Sequence, residues 1–163
     1  MRGPFSTITV SGSHIDNASL LSDPQETKGH GLKRTEIVRA AYQRFNEEDF
    51  EGALDLCDPE IEFRDLIGKQ GPACGREAVR RRWAERFSDA QIKVTVGNVV
   101  EMGDTVIASV ACHVYGSDGK PVGPYVVVTD HFSFRDNRIL RIESTVSNGV
   151  PDEIKGLLLP ATP

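Results

Sequence analysis

The sequence is short of most features that would point quickly to a partner. Aromatic residues make up 7% of it, and only one of its 163 residues is Trp. No apolar run approaches the roughly 20 residues that a bilayer-crossing helix needs, so no membrane partner is expected. The opening MRGPFSTITVSGSHIDNASLL lacks a long apolar centre and does not read as a secretory signal, so a cytoplasmic location is expected. Positive charge is in deficit. A net charge of -5 argues against nucleic acid as the partner, and the basic residues are not interleaved with aromatics. Three cysteines, Cys57, Cys74 and Cys112, are an odd number without metal-ligand spacing. They suggest reduced thiols used as small packing, and no zinc site. Phosphate-binding Gly loops, nucleophile elbows and metal-ligand clusters are absent from the pattern, so no cofactor is expected.

What remains suits one soluble domain with a core of its own, 39% apolar and 26% charged. Residues 1–31 are rich in Ser, Thr, Gly and Asp and keep no period, which reads as a flexible arm with at most a short strand at Ile8–Val10. The domain spans 32–150, and 151–163 form a tail ending in a short helix or strap. Ile37, Ala41 and Phe45 recur at helical spacing behind Thr35, a candidate N-cap, so a first helix is expected to about Glu47. Asp49 can cap a second, shorter helix that stops before Pro59. IEFRD (61–65) alternates as a strand does. A third helix begins at Arg76, with Val79, Trp83 and Phe87 on one face. Its basic residues Arg76, Arg80, Arg81, Arg82 and Arg86 read as a solvated face. Four strand-like runs follow, KVTVGNVVEM, TVIASVACHVYG, PYVVVTDHFSFR and RILRIESTVSN, separated by turn residues. Helices first and a meander after make an α+β arrangement. In it a long, curved antiparallel sheet wraps around the N-terminal helices as a cone and leaves a pocket between them.

One residue breaks the strand logic. In VVVTDHFSF (126–134), side chains alternate between faces, and the apolar set is Val126, Val128, Asp130, Phe132 and Phe134. An ionised carboxylate among those residues costs several kcal/mol unless it is paired, or else it stays protonated. Asp65 repeats the anomaly behind Ile61 and Phe63. Either acid can be structural, capping a helix or bonding a buried Arg. Together they can also be a pocket pair of unequal acidity, one ionised to take a proton and one neutral to donate a hydrogen bond.

The order of NEEDFEGALDLCDPEIEFRD, then GREAVRRRW, then strands ending TDHFSFRDNRILRIES resembles the nuclear transport factor 2-like superfamily, in its ketosteroid isomerase-like and SnoaL-like polyketide cyclase branch. The resemblance covers about 33–150. It implies that Asp65, ahead of Gly75-Arg76-Glu77, fills the place of the family's general base. It also implies that Asp130, four residues before Phe134, fills the place of the neutral oxyanion-hole donor. Ala41 stands where the steroid isomerases carry a helix-borne tyrosine, and Tyr42 lies one residue on, about 100° around the helix. Leu66 follows Asp65 where the family has proline.

The expected function is therefore a cofactor-independent acid/base enzyme, an isomerase, cyclase or lyase acting on an apolar carbonyl-containing small molecule, with Asp65 as base and Asp130 as neutral donor. The alternative is a non-catalytic binding or dimerisation module of the same fold. Tyr42, Phe63, Trp83, His113, Val128, Phe132, Ile142 and Ser144 are the candidate substrate contacts. His113 enters only if its parity faces the pocket, since both parities of its strand are apolar. Trp83 reads first as core packing, with a pocket wall as the alternative. His131, opposite in parity to Asp130, is assigned to the outer sheet face, which in this superfamily often meets a second subunit. A homodimer is accordingly expected.

Overall fold

A computed structural model describes residues 31–65, 70–147 and 149. The tail at 151–163 and all but the last residue of the arm lie outside the described residues. The elements are α1 (Arg34–Asn46), α2 (Phe50–Asp55), β1 (Cys57–Asp65), β2 (Ala73–Cys74), α3 (Arg76–Asp89), β3 (Gln91–Met102), β4 (Thr105–Tyr115), β5 (Val126–Arg135) and β6 (Arg138–Val146). Among the described residues no helix is long and apolar enough to cross a membrane.

The six strands form one sheet in the order β2-β1-β6-β5-β4-β3, with β2 and β3 as its free edges. The run from β3 to β6 is the expected antiparallel meander. The β1–β6 pair is parallel, so the sheet is mixed. The reason is topological: α3 and the meander separate β1 from β6, and the chain re-enters beside β1 in the same direction. The β5–β6 turn is a two-residue hairpin at Asp136 (φ 49) and Asn137 (φ 61), the left-handed pair that a tight, correctly twisted turn requires. The β3–β4 ribbon shifts register between Val96 and Val99. There Gly97 lies so close to β4 that a Cβ would meet the Ser109 carbonyl at 2.9 Å. A bulge of this kind bends the ribbon and helps to curl the sheet.

Helix starts follow local chemistry. The α1 N-cap is Lys33 and not Thr35, because the Glu36 carboxylate accepts the Lys33 N–H at 2.8 Å and draws the start two residues earlier. Asp49 caps α2 as expected, accepting from the Gly52 N–H at 2.9 Å. The first strand runs back through Pro59 to Cys57, further than the pattern suggested. Burial alternates cleanly on β4 and β5: Val106, Ala108 and Val110 on one, and Val126, Val128, Asp130 and Phe132 on the other, are buried, while their neighbours are half-exposed. That inner face and the helices share one core, with Val38, Ile61, Val79 and Ile139 fully enclosed.

Candidate active site

The strand register brings the two anomalous acids to one level of the sheet. Asp65 on β1 pairs with Ser144 on β6, and Ser144 pairs in turn with Asp130 on β5. The acids are thus two strand spacings apart, about 10 Å between backbones, with a small hydroxyl between them. All three side chains line a cavity of ≈ 110 Å³. Its apolar walls come from α1 (Ala41, Phe45), β1 (Phe63), α3 (Trp83) and the meander (Val110, Val128, Phe132, Ile142). The aromatic side is closely packed: Trp83 meets Phe45 edge-on at 5.5 Å and Phe63 at 6.1 Å between ring centroids.

Asp130 is 7% exposed. The Tyr42 hydroxyl donates to its Oδ2 at 2.5 Å, and Oδ1 is buried without a hydrogen bond of ordinary geometry. Burial pushes the Asp130 carboxyl above the usual carboxylate range, and the Ser144 and Tyr42 hydroxyls only partly offset it. Burial and the neighbouring acid likewise push the Tyr42 phenol up. Burial thus favours the neutral form of Asp130, and the Tyr42 hydrogen bond fixes the orientation of the carboxyl.

Asp65 is treated differently. It forms an ion pair with Arg86 of α3, and the two side chains are 1% and 16% exposed. The guanidinium lies 6.0 Å from the Phe63 ring centroid, and burial lowers its pKa to about 10. Cys112 of β4 also lines the cavity, its thiol pushed up to about 12 by burial, so it remains a thiol and not a nucleophilic thiolate. Among the described residues no three His, Cys, Asp or Glu side chains gather as a metal ion would need.

The sequence matches the model of the SnoaL-like domain over residues 38–142. The chain belongs to the SnoaL-like family. No curated protein matches it in sequence. Among solved structures, the SnoaL-like chain is similar to TerC crystallised with polyporic acid (TM-score 0.61, 19% identity, covering 70% of this chain and 91% of that one). It is also similar to SalBIII, described as an epoxide hydrolase/cyclase-like enzyme in pyran ring formation in polyether salinomycin (TM-score 0.61, 17% identity, 71% and 91%). A third is a putative polyketide cyclase from Xanthomonas campestris pv. campestris (TM-score 0.60, 18% identity, 68% and 87%). At these identities the likeness concerns the fold.

In this SnoaL-like domain, Asp65, Asp130, Tyr42, Phe63, Trp83, Val128, Phe132, Ile142 and Ser144 all line the one cavity. His113 does not. The inner parity of β4 is Val106, Ala108, Val110 and Cys112, which turns His113 outward, where its ring lies 5.5 Å from Tyr125. A strand with two apolar faces hides its facing, because the outer face is also half-covered. His131 lies on the outer face as expected, in a shallow groove with Thr105, Ser133, Arg141, Glu143 and Thr145. Arg86 corrects the reading of α3 as solvated on its basic side. Val79, Trp83 and Arg86 fall at i, i+4 and i+7, one inward stripe, and that spacing was the signal available for it. Cys112, expected as small packing, shares the inward parity of Val110 and lines the cavity. Cys74 is exposed, so it is not the buried filler expected of it. Tyr42 reaches Asp130 although its aligned position falls one residue away, because α1 turns both Ala41 and Tyr42 toward the cavity.

Proposed function

We propose that the protein is a cofactor-independent acid/base enzyme, an isomerase, cyclase or lyase that acts on an apolar carbonyl-containing small molecule. The observation that carries this is the pair of acids at one level of one apolar cavity, one with a cation beside it and the other held by burial and a phenol. Asp65, as carboxylate, takes a proton from the carbon next to the substrate carbonyl. Asp130, protonated, donates a hydrogen bond from Oδ1 to the oxygen on which charge develops. Preorganised donors in a dry site are usually the largest electrostatic contribution to such a step. Ser144 leaves room between the two, and the aromatic wall packs a flat, apolar framework. Solved structures of the same fold include proteins described as a polyketide cyclase and as an epoxide hydrolase/cyclase-like enzyme, and one crystallised with polyporic acid, which supports this class of chemistry.

A second reading is a non-catalytic binding module, and one observation favours it: Asp65 already has a cation partner, as structural buried acids do. The two readings separate by side-chain carboxyl NMR titration with turnover assays on enolisable apolar ketones. The enzyme reading expects Asp130 protonated to neutral pH and Asp65 ionised. It also expects Asp65→Asn and Asp130→Leu to fold while losing roughly 10²–10³-fold in kcat. If both acids titrate as ordinary aspartates and no ketone is turned over, the binding module stands instead; if variants that fold keep their turnover, Asp65 and Asp130 are not the catalytic pair. A homodimer joined through the outer sheet face around His131 goes with either reading. Sedimentation at micromolar concentration checks it, and a strictly monomeric profile would remove it.

A further inference from the structure

The proposed chemistry accounts for both acids and leaves Arg86 without a role in the reaction. A guanidinium inside an apolar cavity is costly, and a Leu or Met at the same place would pack against Phe63 and Trp83 without that cost. We infer that Arg86 is a transferable counter-ion: it neutralises the Asp65 carboxylate in the free protein, and neutralises the anion of the ligand once Asp65 has taken the ligand's proton. This deepens the acid/base reading and rests on it for the identity of the proton acceptor.

The charges balance at each stage. Before transfer the cavity holds one cation, Arg86, and one anion, Asp65. During transfer a C–H or O–H bond of the ligand breaks and its proton bonds to an Asp65 oxygen. The electron pair stays on the ligand, spread over a conjugated enolate or phenolate. After transfer the cavity again holds one cation and one anion, now Arg86 and the ligand. Without Arg86, the same step would create a lone buried anion, or would require Asp65 to begin as one. Geometry favours the exchange: Arg86 and Asp65 line the same wall, both are largely dry, and Phe63 backs the guanidinium at 6.0 Å. The other titratable groups facing the cavity are Tyr42 from α1, Cys112 from β4 and Asp130 from β5. None of these carries a positive charge. The ligand class this selects is an apolar, planar molecule with a weakly acidic C–H or O–H whose conjugate base is delocalised.

The test needs no substrate. Full-length protein is titrated calorimetrically with 4-nitrophenol, above the probe's own pKa, in two buffers of different ionisation enthalpy. Wild type is expected to take up about one proton per phenolate bound, because Asp65 must be neutralised to release Arg86. Asp65→Asn, whose Arg86 has no resident anion, is expected to take up none and to bind the phenolate roughly tenfold more tightly or better. The double variant Asp65→Asn, Arg86→Met is expected to lose that gain, and Asp65→Asn, Arg86→Lys to keep part of it. The inference is overturned if Asp65→Asn binds no more tightly than wild type, if the double variant keeps the gain, or if neither wild type nor Asp65→Asn binds the probe. Proton uptake that disappears in Asp130→Asn but survives in Asp65→Asn would also overturn it. Should Asp65→Asn fail to fold, the proton count of the wild type decides alone. Proton uptake with no turnover of any ketone would remove the enzyme reading and leave the counter-ion in place.

Discussion

Asp58 and Asp130 are almost equally buried, at 5% and 7% exposure, and both project from strands of the same sheet. Their surroundings are opposite. Asp58, near the start of β1, accepts two N–H groups of Arg135 at 2.9 and 2.5 Å and the backbone N–H of Glu60 at 2.8 Å. Arg135 also reaches Glu60 at 2.6 Å. These donors, Arg135 first, hold the Asp58 carboxyl below the usual range. Asp130 has only the neutral hydroxyls of Tyr42 and Ser144 near it and one oxygen without an ordinary hydrogen bond, and burial holds it above that range. Exposure alone would class the two together. The number and charge of the donors separate an acid that ties a hairpin to β1 from an acid whose pKa burial raises beside a cavity.

Stability against pH separates the two acids most strongly. A carboxyl whose folded pKa is raised binds more protons in the folded state. Stability therefore falls as pH rises from the unfolded Asp value near ~3.9 to the folded value. Asp130 is expected to remove about 1.4 kcal/mol for each pH unit of that window, and Asp130→Asn to abolish the decline. Asp58 has the other sign. Its depressed pKa contributes stability that is present above ~3.9 and lost as pH falls through the folded value. Chemical denaturation of wild type, Asp130→Asn and Asp58→Asn at half-unit intervals from pH 3 to 9 reads both. Parallel curves for the wild type and Asp130→Asn would mean that Asp130 is charged in the folded protein, and the proposed donor role would fall with it.

How legible these two acids were in the sequence follows from the same physics. Asp130 stood out because four apolar neighbours share its parity on a strand with a polar opposite face. Asp58 precedes a proline, where parity has no clear start, and its partner Arg135 lies on a hairpin end that no local pattern ties to it. The meander was readable from alternation and turn residues, and the two acids, the aromatic wall and Ser144 came with it. The parallel β1–β6 pairing was not readable, because periodicity gives a strand no direction. Nor was the facing of His113, on a strand with two apolar faces. Arg86 was hidden by composition: five arginines on one helix suggest solvent, and only the i, i+4, i+7 spacing from Val79 and Trp83 marks one as inward.

A smaller effect tests the phenol that distinguishes Asp130 from Asp58. Tyr42→Phe removes the 2.5 Å hydrogen bond and leaves the ring, which packs edge-on at 5.8 Å from Phe132. The expected loss of stability at neutral pH is about 1 kcal/mol. The bond favours the charged form of Asp130, so its removal should move the Asp130 titration further up. A titration that moves down in Tyr42→Phe would show that the phenol stabilises the neutral acid, and the role of Tyr42 would have to be redrawn.

The smallest change belongs to the rim. Arg135 is 45% exposed on its side chain, so water replaces much of what it gives to Asp58 and Glu60. Arg135→Met should leave the protein folded at neutral pH and move its acid-unfolding midpoint up by roughly a few tenths of a pH unit, because Asp58 protonates earlier without its main donor. Added salt should shrink the difference between variant and wild type, since the pair is open to screening. The Asp130 decline should persist in the same salt, because burial causes it and buried groups are screened little. If salt erased both effects alike, the distinction drawn from donor count would fail. Asp130 would then have to be read, like Asp58, as an acid in contact with solvent ions.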